Sequence, residues 1–176
     1  MVGVRSIAVV VVALWLSTAQ VPLAAPDDPS TQQRQSAPRM PSSKGLPYNE
    51  TADAHVDIAA AMARASSEGK AVLLTFGANW CPDCRALGAA MTAPPLTDAI
   101  AARFVVVDVD VGNWNKNLDV VESWGNPIAK GIPSIVVADA HGTVLYATKA
   151  GELANARRMG SDAFVKFFTA LPTAVQ

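Results

Sequence analysis

The chain has 176 residues with 14 Lys and Arg against 15 Asp and Glu, a net charge of −1, and only 16% charged residues. That balance supplies neither the basic footprint of a nucleic-acid binder nor a polybasic patch for a membrane surface. An apolar share of 51%, with Ala at 32 positions, excludes disorder throughout, and two cysteines exclude a disulfide-rich scaffold while sufficing for a site.

Residues 1–25 have the three-part layout of a secretory signal peptide: Arg5, an uncharged apolar run over 7–16, then small residues with cleavage sites after Ala19 or Ala25. A retained anchor is the alternative, but Ser17, Thr18, Gln20 and Pro22 interrupt the stretch, and a spanning helix wants ~20 predominantly apolar residues. The expected location is periplasmic or secreted, with the protein tethered to the membrane if the segment stays uncleaved. Residues 26–47 are rich in Pro, Ser and Gln and cannot bury enough apolar surface to offset ordering, so a flexible linker is expected there. Residues 48–176 then form one domain.

Within it, residues 51–68 read as a helix with Val56, Ala59, Ala60 and Ala63 facing inward and Ile58 and Met62 widening that face. The apolar run 71–76 reads as a strand buried on both faces. Helices follow over 82–91 and 96–103, then a β-branched strand over 104–111 carrying Asp108 and Asp110. A short helix over 117–124 precedes strands over 134–138 and 144–148, which are joined by a turn from Asp139 to Gly142. A closing helix over 161–171 has Ser161 as N-cap and Phe164, Phe167 and Phe168 as its core face. Helix-linked strands giving way to a hairpin predict an α/β fold whose central mixed sheet is flanked by helices.

The chemistry lies in Trp80-Cys81-Pro82-Asp83-Cys84, placed between a strand and a helix. Cys-x-x-Cys brings two thiols together on the first helical turn. There, free amide N–H groups and the positive dipole end favour a thiolate at Cys81, the reactive form. Pro82 suits the first turn because it has no N–H to satisfy. Cys84, one turn deeper, is the resolving thiol.

FGANWCPDC after a buried strand, Gly131-Ile132-Pro133 opening a later strand, and Ala150-Gly151-Glu152 after the hairpin together resemble the thioredoxin family. The likeness runs from Thr51 to about Leu171. GNWNKN over 112–117 and the tail from Gly151 resemble, more narrowly, exported bacterial thioredoxin-like proteins with a W-C-x-D-C site. The resemblance implies a redox-active disulfide between Cys81 and Cys84 and a cis peptide at Pro133 that exposes the Ile132 backbone to an extended substrate. It also implies a substrate groove lined by Trp80, Pro82, Asp83, Ile132, Pro133 and Gly151. Two departures stand out. Relatives carry a buried carboxylate six residues before the first cysteine, where this chain has Thr75. Asp83, in place of the usual central residue, sets a negative charge beside Cys81 that opposes the helix dipole; each effect is on the order of 1 kcal/mol at an exposed site.

A permanent structural disulfide is the blander reading of the pair, but so short a loop stabilises little. A zinc site wants four ligands, and only His55 and His141 accompany the cysteines; copper(I) on two thiolates stays open. Asp108 and Asp110 are read as capping the next loop or facing solvent, and Trp114 and Trp124 as core packing, with partner contact as the alternative. Arg157, Arg158 and Lys166 are read as solvated charges. The expected function is a periplasmic thiol–disulfide oxidoreductase, in the reducing direction, with Cys81 as nucleophile and no cofactor or metal. Its substrates are disulfide-containing proteins or small thiols, its electrons come from a membrane or soluble redox partner, and it works as a monomer. The alternatives are an oxidase or isomerase using the same chemistry, a thioredoxin-fold binding module, and a metal carrier.

Overall fold

All seven residues of β1 (Ala71–Gly77) are buried, and the other elements are arranged around that strand. A computed structural model of the chain describes residues 45–173; the expected signal peptide and most of the expected linker lie outside the described residues. In chain order come α1 (Ala54–Glu68), β1, α2 (Pro82–Met91), α3 (Leu96–Ala101), β2 (Phe104–Asp110), α4 (Leu118–Ser123) and a 3-10 turn (Pro127–Lys130). Then follow β3 (Ser134–Ala138), β4 (Val144–Ala147), a second 3-10 turn (Ala156–Arg158) and α5 (Ser161–Thr169). The sheet runs β2-β1-β3-β4. β1 pairs parallel with β2 and antiparallel with β3, and β3 pairs antiparallel with β4, so the sheet is mixed, as the sequence predicts.

Alternation along β1 sends Val72, Leu74 and Phe76 to one face and Ala71 and Leu73 to the other. The first face packs with Ile58, Ala61 and Ala65 of α1 and Val120 and Val121 of α4. The second packs with Leu87 and Met91 of α2, Ile100 of α3 and Phe164 and Phe168 of α5. Two helical layers thus cover one sheet.

The structure corrects the inward face of α1. Ala54, Ile58, Ala61 and Ala65 are buried, while Val56, expected inside, is 62% exposed, and Ala59, Ala60 and Ala63 face solvent with it. Alanine occurs nearly all round this helix, so periodicity alone offers two competing stripes, and packing on the valines of β2 selects the other one. The helix begins three residues later than expected because the Asp53 carboxylate accepts from the amides of His55 and Val56, a direct N-cap. At α5 the N-cap is Gly160 rather than Ser161, with no side-chain cap bond.

Arg103, between α3 and β2, anchors the end of α5. Its guanidinium donates to the carbonyls of Phe168 (2.8 Å), Thr169 (3.2 Å) and Leu171, and it lies 5.0 Å over the Phe104 ring. Phe168 and Thr169 close α5, where the last carbonyls lack an amide four residues on within the helix, and Leu171 follows it. Arg103→Ala is expected to lower unfolding free energy by about 2 kcal/mol, read as a shift in urea midpoint with the thiol titre of the folded protein unchanged.

Candidate functional site

β1 ends at Gly77, and a turn closed by the Cys81 amide on the Ala78 carbonyl (3.1 Å) leads directly into α2. Cys81 is the N-cap residue of that helix, and its sulfur accepts the amide N–H of Cys84 at 3.2 Å. The sulfur therefore sits where the helix presents its free N–H groups and the positive end of its dipole. Pro82 occupies the first helical turn and is exposed. Both cysteines are free thiols, 4% exposed at Cys81 and 0% at Cys84. Burial, followed by the hydrogen bond with Cys81, pushes the Cys84 thiol well above its ordinary range, because a low-dielectric surrounding penalises the charged form.

The second wall comes from the loop before β3. The Ile132–Pro133 peptide is cis, and the Cys81 thiol donates to the Ile132 carbonyl at 3.7 Å. Ile132 itself is 9% exposed. Gly151, on the loop after β4, has φ of +77° and approaches the Lys130 carbonyl, from which a Cβ would stand 3.7 Å. That loop is tightened by Glu152, whose carboxylate accepts from the amides of Lys149 and Ala150. Trp80 stands half exposed on the other side, its indole N–H donating to the Gly112 carbonyl at 2.8 Å.

Asp83, expected to line the groove, is 7% exposed and bonded to Arg157. Its carboxylate is nearly buried and takes two bonds from one residue: the Arg157 amide at 2.9 Å and the Arg157 guanidinium at 2.7 Å. Arg157, read from sequence as a solvated charge, is thus the counter-ion of the motif's acidic residue, and it pins α2 to the second 3-10 turn. The two positions are 74 residues apart, and no local pattern links them.

Thr75, where the resemblance placed a carboxylate, is 1% exposed and donates its hydroxyl to Asp108, its partner across the parallel β1–β2 pairing. A carboxylate is therefore present one strand over. Asp110 is buried and caps the following loop: one oxygen accepts from the Gly112 amide at 3.1 Å. Lys116 Nζ stands 3.3 Å from the other oxygen, an ion-pair distance without hydrogen-bond alignment. Trp124 packs against the core as expected, but Trp114 is 46% exposed, a correction to its reading as core. His55 pairs with Asp119 at 2.7 Å on the surface, and the His141 amide donates to Asp139 in the hairpin turn. Among the described residues, no group of three or more His, Cys, Asp and Glu is placed to hold a metal.

Sequence reasoning missed Tyr48, taken only as the first residue of the domain. Its backbone N–H and carbonyl both bond to the Asn79 side chain (3.1 and 2.9 Å), which latches the chain preceding α1 onto the active-site turn. The phenol, 1% exposed, lies over Gly77 beside Cys84: a Cβ on Gly77 would fall 2.2 Å from its oxygen and 2.9 Å from the Cys84 sulfur. The glycine is required because the phenol and the thiol share the space a side chain would take. Proline 47 lies against Gly88 of α2 in the same way, 2.6 Å from a Cβ there. An aromatic residue closing a Pro-rich stretch was the one available signal.

Residues 53–140 match the model of a family described as thioredoxin-like. Among solved structures, a disulphide isomerase from Xylella fastidiosa is 47% identical over 70% of this chain and 94% of its own, with a TM-score of 0.69. A thioredoxin from Thermus thermophilus is 21% identical, covering 61% and 78% of the two chains with a TM-score of 0.45. The C-terminal domain of Neisseria meningitidis DsbD is 20% identical, covering 69% and 97% with a TM-score of 0.47. None of the curated proteins compared matches the chain.

Gly77→Ala is expected to cost about 1–3 kcal/mol through overpacking against Tyr48 and Cys84, seen as a lowered melting temperature in the oxidised and reduced protein alike. The Cys84 shift carries a pH prediction. An unfolded thiol ionises near pH ~8.5, while the folded Cys84 thiol ionises higher. The reduced protein therefore holds this stability in full below that pH and loses it as pH rises beyond. Oxidised protein has no such titration at Cys84. Melting temperatures measured from pH 7 to 10 should show the reduced form falling relative to the oxidised form above pH ~8.5; parallel curves would contradict it.

Proposed function

The chain belongs to the thioredoxin-like family, and from that premise we propose that it is a thiol–disulfide oxidoreductase of the periplasm that reduces disulfides in exported polypeptides. The observation that carries this reading is the setting of the Cys81 sulfur, which meets an amide N–H of α2 on one side and the Ile132 carbonyl beside cis-Pro133 on the other. A nucleophile held there is oriented before substrate arrives, and the extended backbone next to it is suited to receiving a substrate strand.

The Cys81 thiolate attacks one sulfur of a substrate disulfide, whose S–S bond breaks as the Cys81–substrate bond forms. The departing substrate sulfur takes up a proton. Cys84 then loses its proton and attacks the Cys81 sulfur, closing the Cys81–Cys84 disulfide and releasing the substrate as a dithiol reduced by two electrons. A dithiol partner protein returns the pair to the reduced state by the reverse exchange, so no cofactor enters. Burial raises the Cys84 thiol, which supports Cys81 as the sulfur that attacks first. The apolar, uncharged run over residues 7–16 supports export, and an exported dithiol reductase needs such a partner because its compartment is oxidising.

A second reading follows from the disulphide isomerase of Xylella fastidiosa. In isomerisation a substrate thiol, rather than Cys84, resolves the mixed disulfide. A Cys84→Ser variant separates the two. It is expected to trap exported proteins as mixed disulfides, resolved on non-reducing gels, and to lose net reduction of insulin, while Cys81→Ser traps nothing. Undiminished reshuffling of a scrambled disulfide protein by Cys84→Ser would favour the isomerase. An absence of mixed disulfides would remove the oxidoreductase reading.

A further inference from the structure

Trp114 is a bulky residue held at φ of +64°, a backbone region that such side chains rarely occupy. Conformations of this kind persist where the surroundings dictate them, and the loop between β2 and α4 is tied on both sides of Trp114. The Gly112 amide donates to Asp110 Oδ1 at 3.1 Å and the Asn113 amide to Asn115 Oδ1 at 3.0 Å. The amides of Asn115 and Lys116 converge on the Val111 carbonyl at 3.2 and 3.3 Å, and Asn117 Nδ2 donates to the Asp110 carbonyl at 2.8 Å. The result is an indole turned away from the core, 46% exposed, with its ring centroid 6.2 Å from that of Trp80 at a tilt of 58°.

Trp80 is itself 49% exposed and fixed by its bond to Gly112, a residue of the same loop. Two large aromatic rings are therefore presented side by side at the residue preceding the nucleophile. Isolated exposed apolar side chains are ordinary on protein surfaces. A rigid, contiguous aromatic pair beside a reactive atom is the composition that interfaces favour, since tryptophan buries a large area with few torsions to freeze.

We propose that Trp114 is a specificity-determining residue: with Trp80 it forms an aromatic wall that receives an apolar side chain flanking the half-cystine of a disulfide-bonded polypeptide. The substrate class is thus extended polypeptide with apolar flanks, and a small disulfide, which has no side chain to lay on the wall, is left to the contacts at Cys81 and Ile132. This rests on the oxidoreductase reading above.

The test compares two disulfides on the full chain: a synthetic peptide with Phe beside its half-cystine, and glutathione disulfide. Trp114→Ala is expected to lower the ratio of kcat/KM for the peptide over that for glutathione disulfide about tenfold, largely through KM. Trp114→Phe should restore most of the ratio, and a matched peptide with Gly at the flank should show no change in ratio between wild type and Trp114→Ala. An unchanged ratio for the Phe peptide, or an equal fall for the Gly-flanked peptide, would overturn the wall while leaving thiol–disulfide exchange in place. Wild-type protein that turns over neither disulfide would instead remove the oxidoreductase reading and the wall together.

Discussion

The site depends on one sulfur atom serving as a helix cap. An N-cap normally offers an oxygen to the second or third amide of the helix; here the Cys81 sulfur takes that place, accepting the Cys84 amide at 3.2 Å. The free N–H groups that this cap answers therefore face the sulfur of the proposed nucleophile. The neighbouring constraints hold this arrangement from behind. β1 delivers the chain to the top of the sheet, β3 begins just after the cis peptide that faces the sulfur, and Asn79 ties the turn to the backbone of Tyr48.

Charge around the pair is arranged at one remove. Asp83 is a carboxylate inside the motif, yet both its oxygens are engaged by Arg157, so its charge is compensated and its direction fixed. Thr75 provides a hydroxyl at the position where the family resemblance implies an acid, and that hydroxyl is bonded to Asp108 on the adjacent strand. Cys84 is fully buried and held neutral. The two sulfurs differ in setting: that of Cys81 caps the helix end, whereas burial raises the Cys84 thiol one turn deeper.

Much of this was legible in the sequence where a pattern was short and bounded. The limits of α2 and β3 coincide with expectation because Pro82 opens the first, and Pro133 and Asp139 bracket an apolar run in the second. The mixed sheet followed from one helix-linked parallel pair and a hairpin closed by Asp139 and Gly142, whose φ is +87°. Legibility failed where the determinant was distant or degenerate. The alanines of α1 suit two faces equally, and only packing on Val105 and Val107 chooses between them. Arg157 meets Asp83 through tertiary structure alone. Tyr48 borders a Pro-rich stretch in sequence yet fills the space behind Cys84 in the fold. Trp114 looked like core because tryptophan usually is, and only its left-handed backbone turns it outward.

Cys81 and Cys84 are proposed to form a reversible two-electron couple poised to reduce, and the reduction potential of the pair, measured by equilibration of residues 26–176 against glutathione and dithiothreitol, tests this most directly. The expected result is a single two-electron transition near the ~−270 mV of a reducing thioredoxin. A transition near ~−120 mV, the value of a strong disulfide donor, would contradict the reducing direction, and no reversible transition at all would contradict the couple itself.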